Sequence, residues 1–216
     1  MAKPSPKPSD GRSRRRIATR EAISIAATGL FFERGFDHVT VDDIAAAAGV
    51  GRMTVFNHFP RKEDMFFDLD VEGRAALRKA MQQRDPRVSP IETLRLLAHR
   101  LISAKSPFVA FDAMSQRFME TIEASEPLKA RARAIRDELA QVVTEALCKC
   151  VGREPTDVAA QLAADLLLAT WTVAFLHGHR IFRQSQNTQK AEAAFLAVVE
   201  NGTLGVHAAM AGTPYV

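Results

Sequence analysis

The sequence predicts an all-α protein in which a three-helix N-terminal domain precedes about six further helices. Three observations carry this prediction. Apolar residues recur at three- and four-residue spacing along most of the chain, prolines separate these segments, and no stretch alternates polar and apolar residues as a strand does. With 216 residues, 47% of them hydrophobic, the chain can fill a substantial core.

The beginning of the chain combines a proline-rich segment with a run of arginines. Residues 1–13 are predicted to form a disordered basic arm. Two interpretations of the arginine run at 12–16 stay open: an arm that orders on DNA, or a solubilising tail. The first helix is predicted over residues 14–34, with Gly35 ending it. Its core-facing stripe is Ile23, Ala26, Ala27, Leu30 and Phe31.

Residues 40–62 predict a short helix, a glycine turn and a second short helix, which is the pattern of a helix-turn-helix. Thr40 and Asp43 have the spacing of a capping box, so the first of these helices should begin at Val41. Gly49 supplies the left-handed residue that ends it.

In the second short helix, Val55 and Phe59 would face inward. The side chains left outside or on the flanks are Arg52, Met53, Thr54, Asn57 and His58. An ordinary pair of surface helices would show a similar pattern, but the charge distribution favours DNA binding. Residues 1–62 contain eleven lysines and arginines against six acidic residues, whereas the rest of the chain has a net charge of −1.

Many positions in this region match one known family. The matching motifs are Arg-Glu-Ala-Ile at 20–23, Gly-Phe at 35–36, Thr-Val at 40–41, Ile-Ala at 44–45, Ala-Gly-Val at 48–50 and Lys-Glu at 62–63. Residues 19–69 thus resemble the N-terminal domain of the tetracycline-repressor-like (TetR) transcriptional regulators. The remainder is similar to that family only in helical character and length.

The resemblance implies DNA contacts for seven side chains. Those that would bond to phosphate or lie along the DNA backbone are Thr40, Thr54, Asn57, His58 and Lys62. Arg52 and Met53 would face base edges in the major groove, and Arg52 is expected to bond to guanine O6 and N7.

Two positions depart from the family pattern. Gly51 stands where relatives usually have a capping serine, which weakens the cap of the second short helix by a few tenths of a kcal/mol. Phe56 stands where they usually have a phosphate-binding tyrosine. Because Phe56 has no hydroxyl group, we expect that contact to be lost and the ring to be a packing aromatic.

The rest of the chain, residues 61–216, is expected to form a ligand-binding and dimerisation domain, after a DNA-binding domain at 14–60 whose motif lies at about 39–58. Its predicted helices cover 61–84, 90–104, 108–123, 127–151, 155–183 and 188–210. Ser89 and Ser106 are placed to cap two of them.

Residues 158–182 are apolar almost all the way round a helix, yet Gln161, Asp165 and His177 argue against a membrane span. Such a helix needs two partners to cover it. Together with the apolar face at 191–199 it predicts a dimer interface; the alternative is a central helix buried within one monomer.

A cavity for an effector would be lined by apolar side chains, and the candidates are Phe108, Phe111, Met114, Phe118, Trp171 and Phe175. The alternative is that these residues simply form core. No catalytic, cofactor or metal motif occurs; Cys148 and Cys150 lie two residues apart on a predicted helix and so point to different sides. Without an export signal, two cysteines indicate a cytoplasmic protein with no membrane partner.

The sequence therefore predicts a homodimeric transcriptional regulator, a repressor released from a near-palindromic double-stranded operator by a small apolar effector. An enzyme is not expected. The alternatives are a constitutive or architectural DNA-binding protein without a ligand and, less favoured, a helical interaction or enzymatic protein.

Overall fold

The computed structural model describes residues 8–216, with side chains from residue 11 onward. The all-α prediction is confirmed: these residues form ten α-helices, a short 3-10 helix at Phe36–His38 and no strand. The helices are α1 (Pro8–Arg34), α2 (Val41–Ala47), α3 (Arg52–His58), α4 (Lys62–Phe66), α5 (Asp70–Gln82), α6 (Pro90–Ser103), α7 (Ala113–Ala124), α8 (Glu126–Val151), α9 (Val158–Ser185) and α10 (Thr188–Ala209).

The chain divides into two compact units. The first runs to Asp68 and also includes Glu120–Lys129, and the second consists of Leu69–Met119 and Ala130–Val216. Within the first unit the Ser125 hydroxyl is buried and donates a hydrogen bond to the Asp37 carboxylate at 2.7 Å. The segment that joins α7 to α8 therefore belongs to the N-terminal unit, although Leu69–Met119 separates it from Asp68 along the chain.

The observed units differ from the predicted boundary between residues 60 and 61, because α4 packs with α1. The Phe66 ring of α4 lies 6.0 Å from the Phe31 ring of α1 and 6.3 Å from that of Phe36. These aromatic contacts make α4 part of the first unit's core.

Helix α1 begins earlier than predicted. The disordered arm was expected to extend to residue 13, but the chain is helical from Pro8, and residues 1–7 lie outside the described part. A proline fits the first turn of a helix because its missing N–H has no partner there in any case. The arginines at 12–16 are therefore carried on a helix.

Three other helix boundaries also differ from the sequence prediction. The segment expected as one helix at 61–84 forms α4 and α5. The helix expected from residue 155 begins at Val158, because the Asp157 carboxylate caps it by accepting the Ala160 N–H at 3.1 Å. The helix expected over 108–123 begins only at Ala113.

The late start of α7 has a local cause. The Asp112 carboxylate accepts the Ser115 N–H at 2.8 Å, and the Ser115 hydroxyl accepts the Asp112 N–H at 2.9 Å. This reciprocal cap fixes the first turn of α7. Phe108 and Phe111 consequently lie in the preceding loop, so the predicted stripe of four apolar residues on one helix is wrong.

Helices α9 and α10 pack closely in the second unit, and two glycines allow it. A Cβ atom at Gly202 of α10 would clash with the Thr170 side chain of α9. A Cβ atom at Gly178 of α9 would lie 3.3 Å from the Ala191 carbonyl oxygen of α10 and 2.5 Å from the Phe111 ring. Both positions therefore need a residue without a side chain.

By length and composition α9 is apolar enough to cross a membrane, a property that core helices of soluble proteins share. One face is buried within the unit, and the buried residues include Ala160, Ala163, Ala164, Leu167, Ala174 and Phe182. Leu166, Trp171 and Phe175 are partly buried against the core, whereas four apolar side chains of α9 are exposed: Val158, Leu162, Val173 and Leu176.

Candidate nucleic-acid interface

Helix α2 starts at Val41, as predicted, because the capping box forms. The Thr40 hydroxyl oxygen accepts the Asp43 N–H at 3.1 Å, and the Asp43 carboxylate accepts the Thr40 N–H at 2.8 Å. The Thr40 hydroxyl also donates to the Asp43 carboxylate at 2.6 Å, and this hydrogen bond, followed by the one from the Thr40 N–H, lowers the pKa of Asp43. The carboxylate is thus held in its charged form at the start of the helix.

The turn between α2 and α3 depends on glycine. Gly49 has a φ of 65°, in the left-handed region that glycine adopts without strain. The Val50 N–H then donates to the Ala45 carbonyl at 3.0 Å, which closes the end of α2. Gly51 precedes α3 and provides no side-chain cap, as its lack of a side chain requires.

The inward side of α3 is fixed by two apolar residues and by an arginine of α1. Val55 and Phe59 are fully buried, in agreement with the prediction. The Arg20 guanidinium lies 4.0 Å from the centre of the Phe59 ring and donates to the His58 carbonyl at 2.9 Å. Sequence reasoning missed this role of Arg20, since no local spacing relates it to His58 and Phe59, which lie in another helix region far along the chain.

The outer face of α3 carries the side chains that were predicted to contact DNA. Arg52, Met53 and Asn57 are exposed, and Met53 is 72% exposed, which is high for a methionine. Thr54 and His58 are half-buried on its flanks. We call these five residues the α3 outer face.

Arg52 is held by two neighbours that sequence analysis did not assign to it. Its Nη1 donates to Asp42 Oδ2 of α2 at 2.7 Å, and its guanidinium carbon lies 5.6 Å from the centre of the Phe56 ring. Phe56 is 37% exposed, and the neighbour that the structure gives this ring is the Arg52 side chain.

Lys62 lies at the start of α4 and donates to two backbone carbonyls. Its Nζ is 2.9 Å from the Phe36 oxygen and 3.0 Å from the Val39 oxygen, and 4.1 Å from the centre of the Phe36 ring. The ammonium group therefore connects α4 to the segment that leads into α2. Its predicted phosphate contact would use a donor beyond these two.

His58 lies among positive charges at the end of α3. Burial, and then the charges of Arg16 and Arg20, lower the pKa of His58. This lowering favours the neutral imidazole. It can accept or donate one hydrogen bond at the edge of the α3 outer face.

The residues predicted to line an effector cavity do not all come together. Phe111, Trp171 and Phe175 lie in one aromatic cluster of the second unit, where the Phe111 and Phe175 rings are 6.0 Å apart. His179 and Phe195, which the sequence analysis did not select, complete this aromatic cluster: the Phe111 ring is 5.0 Å from the ring of His179 and 5.8 Å from that of Phe195.

The other three candidates are not part of this aromatic cluster. Phe108 is in contact distance of the Gly73 position on α5, Met114 is exposed, and Phe118 is half-buried on α7. The period of an α-helix suggested a common face, but Phe108 precedes the helix and so does not follow that period.

This arrangement is similar to that of known bacterial regulatory proteins. A family model for bacterial regulatory proteins of the tetR family matches residues 23–69. The chain is 29% identical over 176 residues to the HTH-type transcriptional repressor BepR of Brucella suis biovar 1 (strain 1330), which covers 76% of this chain and 83% of BepR.

Two solved structures share the fold over most of the chain. Thermus thermophilus FadR, a TetR-family repressor in complex with lauroyl-CoA, has 25% identity and a TM-score of 0.54, covering 87% of this chain and 92% of that chain. SmeT of Stenotrophomonas maltophilia, in complex with triclosan, has 21% identity and a TM-score of 0.56, covering 87% and 91%.

Proposed function

Because this chain belongs to the TetR family of bacterial regulatory proteins, we propose that it is a homodimeric cytoplasmic repressor, released from a near-palindromic operator by a small apolar effector. The similar proteins establish the class, a DNA-binding transcriptional regulator and not an enzyme. The observation that carries the proposal is the α3 outer face, which the capping box and the glycine turn hold exposed.

The α3 outer face has the composition that a major-groove contact requires. Arg52 and Met53 are long and exposed and would reach base edges, where arginine bonds to guanine and methionine makes apolar contacts. Thr54, Asn57 and His58 would bond to phosphates and fix the register of the helix. Thr40 would add a phosphate contact beside the start of α2.

The proposed dimer interface is the exposed apolar row of α9. Leu162, Val173 and Leu176 are exposed at a spacing that keeps them on one side of the helix, and Leu204 of α10 is also exposed. The apolar face expected at 191–199 is not available for this contact, because Phe195 and Val199 are buried within the unit. Leucines and valines aligned in this way leave an apolar patch that a second copy would cover. A dimer would bring two recognition helices to two half-sites.

Sedimentation of the full chain, with and without Val173→Glu, tests the dimer. A charge at this exposed position would have to be buried in the interface, so we expect the variant to sediment as a folded monomer. Val71→Glu is the matched control, because Val71 is also exposed but lies on α5. A variant that stays dimeric at low protein concentration would contradict this interface.

The aromatic cluster is the proposed effector site. FadR was solved with lauroyl-CoA and SmeT with triclosan, and both molecules have large apolar parts. Phe111, Phe175 and Trp171 would supply apolar contacts of the same kind here, and the half-exposed indole of Trp171 lies 5.9 Å from the Phe195 ring.

The chain has one tryptophan, so its fluorescence reports on this aromatic cluster directly. We expect an apolar effector to change the emission of Trp171 and, over the same concentrations, to weaken binding to an operator duplex. Triclosan and lauroyl-CoA are suitable first probes. A compound that changes the emission but leaves the operator affinity unaltered would favour a constitutive regulator instead.

A selection of bound sites from random duplexes tests the DNA-binding part. We expect a near-palindromic site, and we expect Arg52→Ala to lose base preference at one symmetric pair of positions. Selected sequences without common bases would indicate an architectural protein and contradict the proposal.

A further inference from the structure

We propose that Asp42 is a positioning residue for base recognition: together with the Phe56 ring, it holds the Arg52 guanidinium in the orientation that bonds to a guanine. The inference rests on the proposed function of Arg52 as a base-contacting residue. It adds a second specificity-determining position, on α2, to the guanine contact already expected of Arg52.

The geometry restrains Arg52 from two sides. Asp42 is the second residue of α2 and Arg52 the first of α3, so the ion pair spans the turn of the helix-turn-helix. The Nη1–Oδ2 distance of 2.7 Å is that of a charge-assisted hydrogen bond. Phe56 lies on α3 one turn after Arg52, with its ring 5.6 Å from the guanidinium carbon.

The pair has little value for the fold. The two side chains are 60% and 63% exposed, and ion pairs that exposed contribute little to stability. A free arginine side chain, however, loses much rotamer freedom when it bonds to a base. If Asp42 and Phe56 order the side chain in advance, part of that loss no longer opposes DNA binding.

The hydrogen-bonding capacity also fits. A guanidinium has five N–H groups, and a bidentate contact with guanine O6 and N7 uses two of them. One bond to Asp42 is compatible with such a contact, and it fixes which edge of the guanidinium faces outward.

The charge of Asp42 adds selectivity. A free guanidinium is attracted to any phosphate, whereas a carboxylate next to it offsets its charge and repels phosphate oxygens. Asp42 should therefore lower affinity for arbitrary DNA while it raises the preference for the correct base. These opposite effects separate positioning from simple electrostatics.

A structural role for Asp42 would be to stabilise α2, since an acidic residue in the first turn of a helix interacts favourably with the helix dipole. Replacing it would then change thermal unfolding but not the ratio of affinities between duplexes. The base preference is thus the readout that a purely structural role would leave unchanged.

The experiment uses the full chain and the duplex obtained by selection. The base pair that Arg52 contacts is identified as the one at which Arg52→Ala abolishes the base preference. Fluorescence anisotropy then measures the affinity for four duplexes that differ only in the base at this position. Asp42→Asn removes the charge at nearly constant size. Glu33→Gln is the matched control, because Glu33 is an exposed acid on α1 that pairs with Arg34 of the same helix.

We expect the unmodified chain to prefer guanine by about tenfold or more, as a bidentate arginine contact does. Asp42→Asn should reduce this preference by about three- to tenfold and tighten binding to random duplex. Glu33→Gln should leave the preference unchanged. In the Arg52→Ala background, Asp42→Asn should have no further effect on preference.

An unchanged guanine preference in Asp42→Asn would overturn the inference and leave the proposed function intact. The same holds if Asp42→Asn changes the preference equally with and without Arg52. If the unmodified chain shows no sequence selectivity at all, both the inference and the proposed function are overturned. If Asp42→Asn unfolds, Phe56→Leu provides the test, since this exposed ring is the other restraint; an unchanged preference there would also overturn the inference.

Discussion

Helices α2 and α3 and helices α9 and α10 are both packed pairs, but different forces hold them in place. The first pair consists of helices of seven residues, and caps, a left-handed glycine and charged side chains fix it. The second pair consists of helices of 28 and 22 residues that approach closely at Gly178 and Gly202. The short pair therefore depends on polar groups at its ends, and the long pair on the shape of its interior.

The largest expected effect tests the shape of the long pair. In Gly202→Val the new side chain meets Thr170, whose branched side chain has little freedom to move, so the free energy of unfolding should fall by about 3 kcal/mol. Gly29→Val in α1 has open space and should stay within about 0.5 kcal/mol of the unmodified chain. Urea denaturation measures both; equal losses would contradict close packing as the distinguishing feature of α9 and α10.

Lys62 of α4 tests the same dependence on polar groups next to the short pair, because its ammonium group holds the segment that leads into α2. In Lys62→Met the carbonyls of Phe36 and Val39 lose a charged donor, so we expect the unfolding free energy to fall by about 1–2 kcal/mol. The exposed neighbour Arg61 gives the control Arg61→Met, with the same loss of charge. An unfolding free energy of Lys62→Met equal to that of the unmodified chain would contradict this structural role. If only the salt dependence of DNA binding then changed, Lys62 would act as a phosphate contact alone.

A smaller effect is expected at the cap of α2. Thr40→Ala removes the oxygen that accepts the Asp43 N–H and should cost about 1 kcal/mol of stability, whereas Thr40→Ser retains it. Amide hydrogen exchange of the first turn of α2 measures the change locally. Similar exchange in the alanine and serine variants would show that the cap does not set the start of this helix.

The smallest effect is the pH dependence of the same cap. Because the pKa of Asp43 is lowered in the folded state, its contribution to stability is complete above the usual aspartate pKa and is lost as the pH falls through the lowered value. Carboxyl carbon NMR should show Asp43 titrating below 3.8. In Thr40→Ala the titration should move upward, since the largest cause of the shift is absent; no movement would contradict the assignment.

The contrast between the two pairs also explains what could be predicted from sequence. The contact between Thr40 and Asp43 spans three residues, so the start of α2 was predicted correctly. The contacts of Arg20 with Phe59 and of Arg52 with Asp42 link separate helices, and no local spacing reveals them.

The errors in the second unit have the same origin. Ser106 precedes Pro107 and has the appearance of a helix start, but the reciprocal cap of Asp112 and Ser115 provides a stronger one a few residues later. The assignment of Phe108 to a common face with Phe111 failed for that reason. The all-α class was robust because it depended on many periodic segments and not on any one boundary.

The segment Glu120–Lys129 has a practical consequence for protein engineering. A recombinant fragment that stops at Asp68 would lack Ser125 and leave the Asp37 carboxylate without that donor. A chimera that exchanges only residues up to 68 between two regulators would replace one half of this contact and keep the other. Transplanting the DNA-binding specificity of this protein should therefore carry both pieces of chain together.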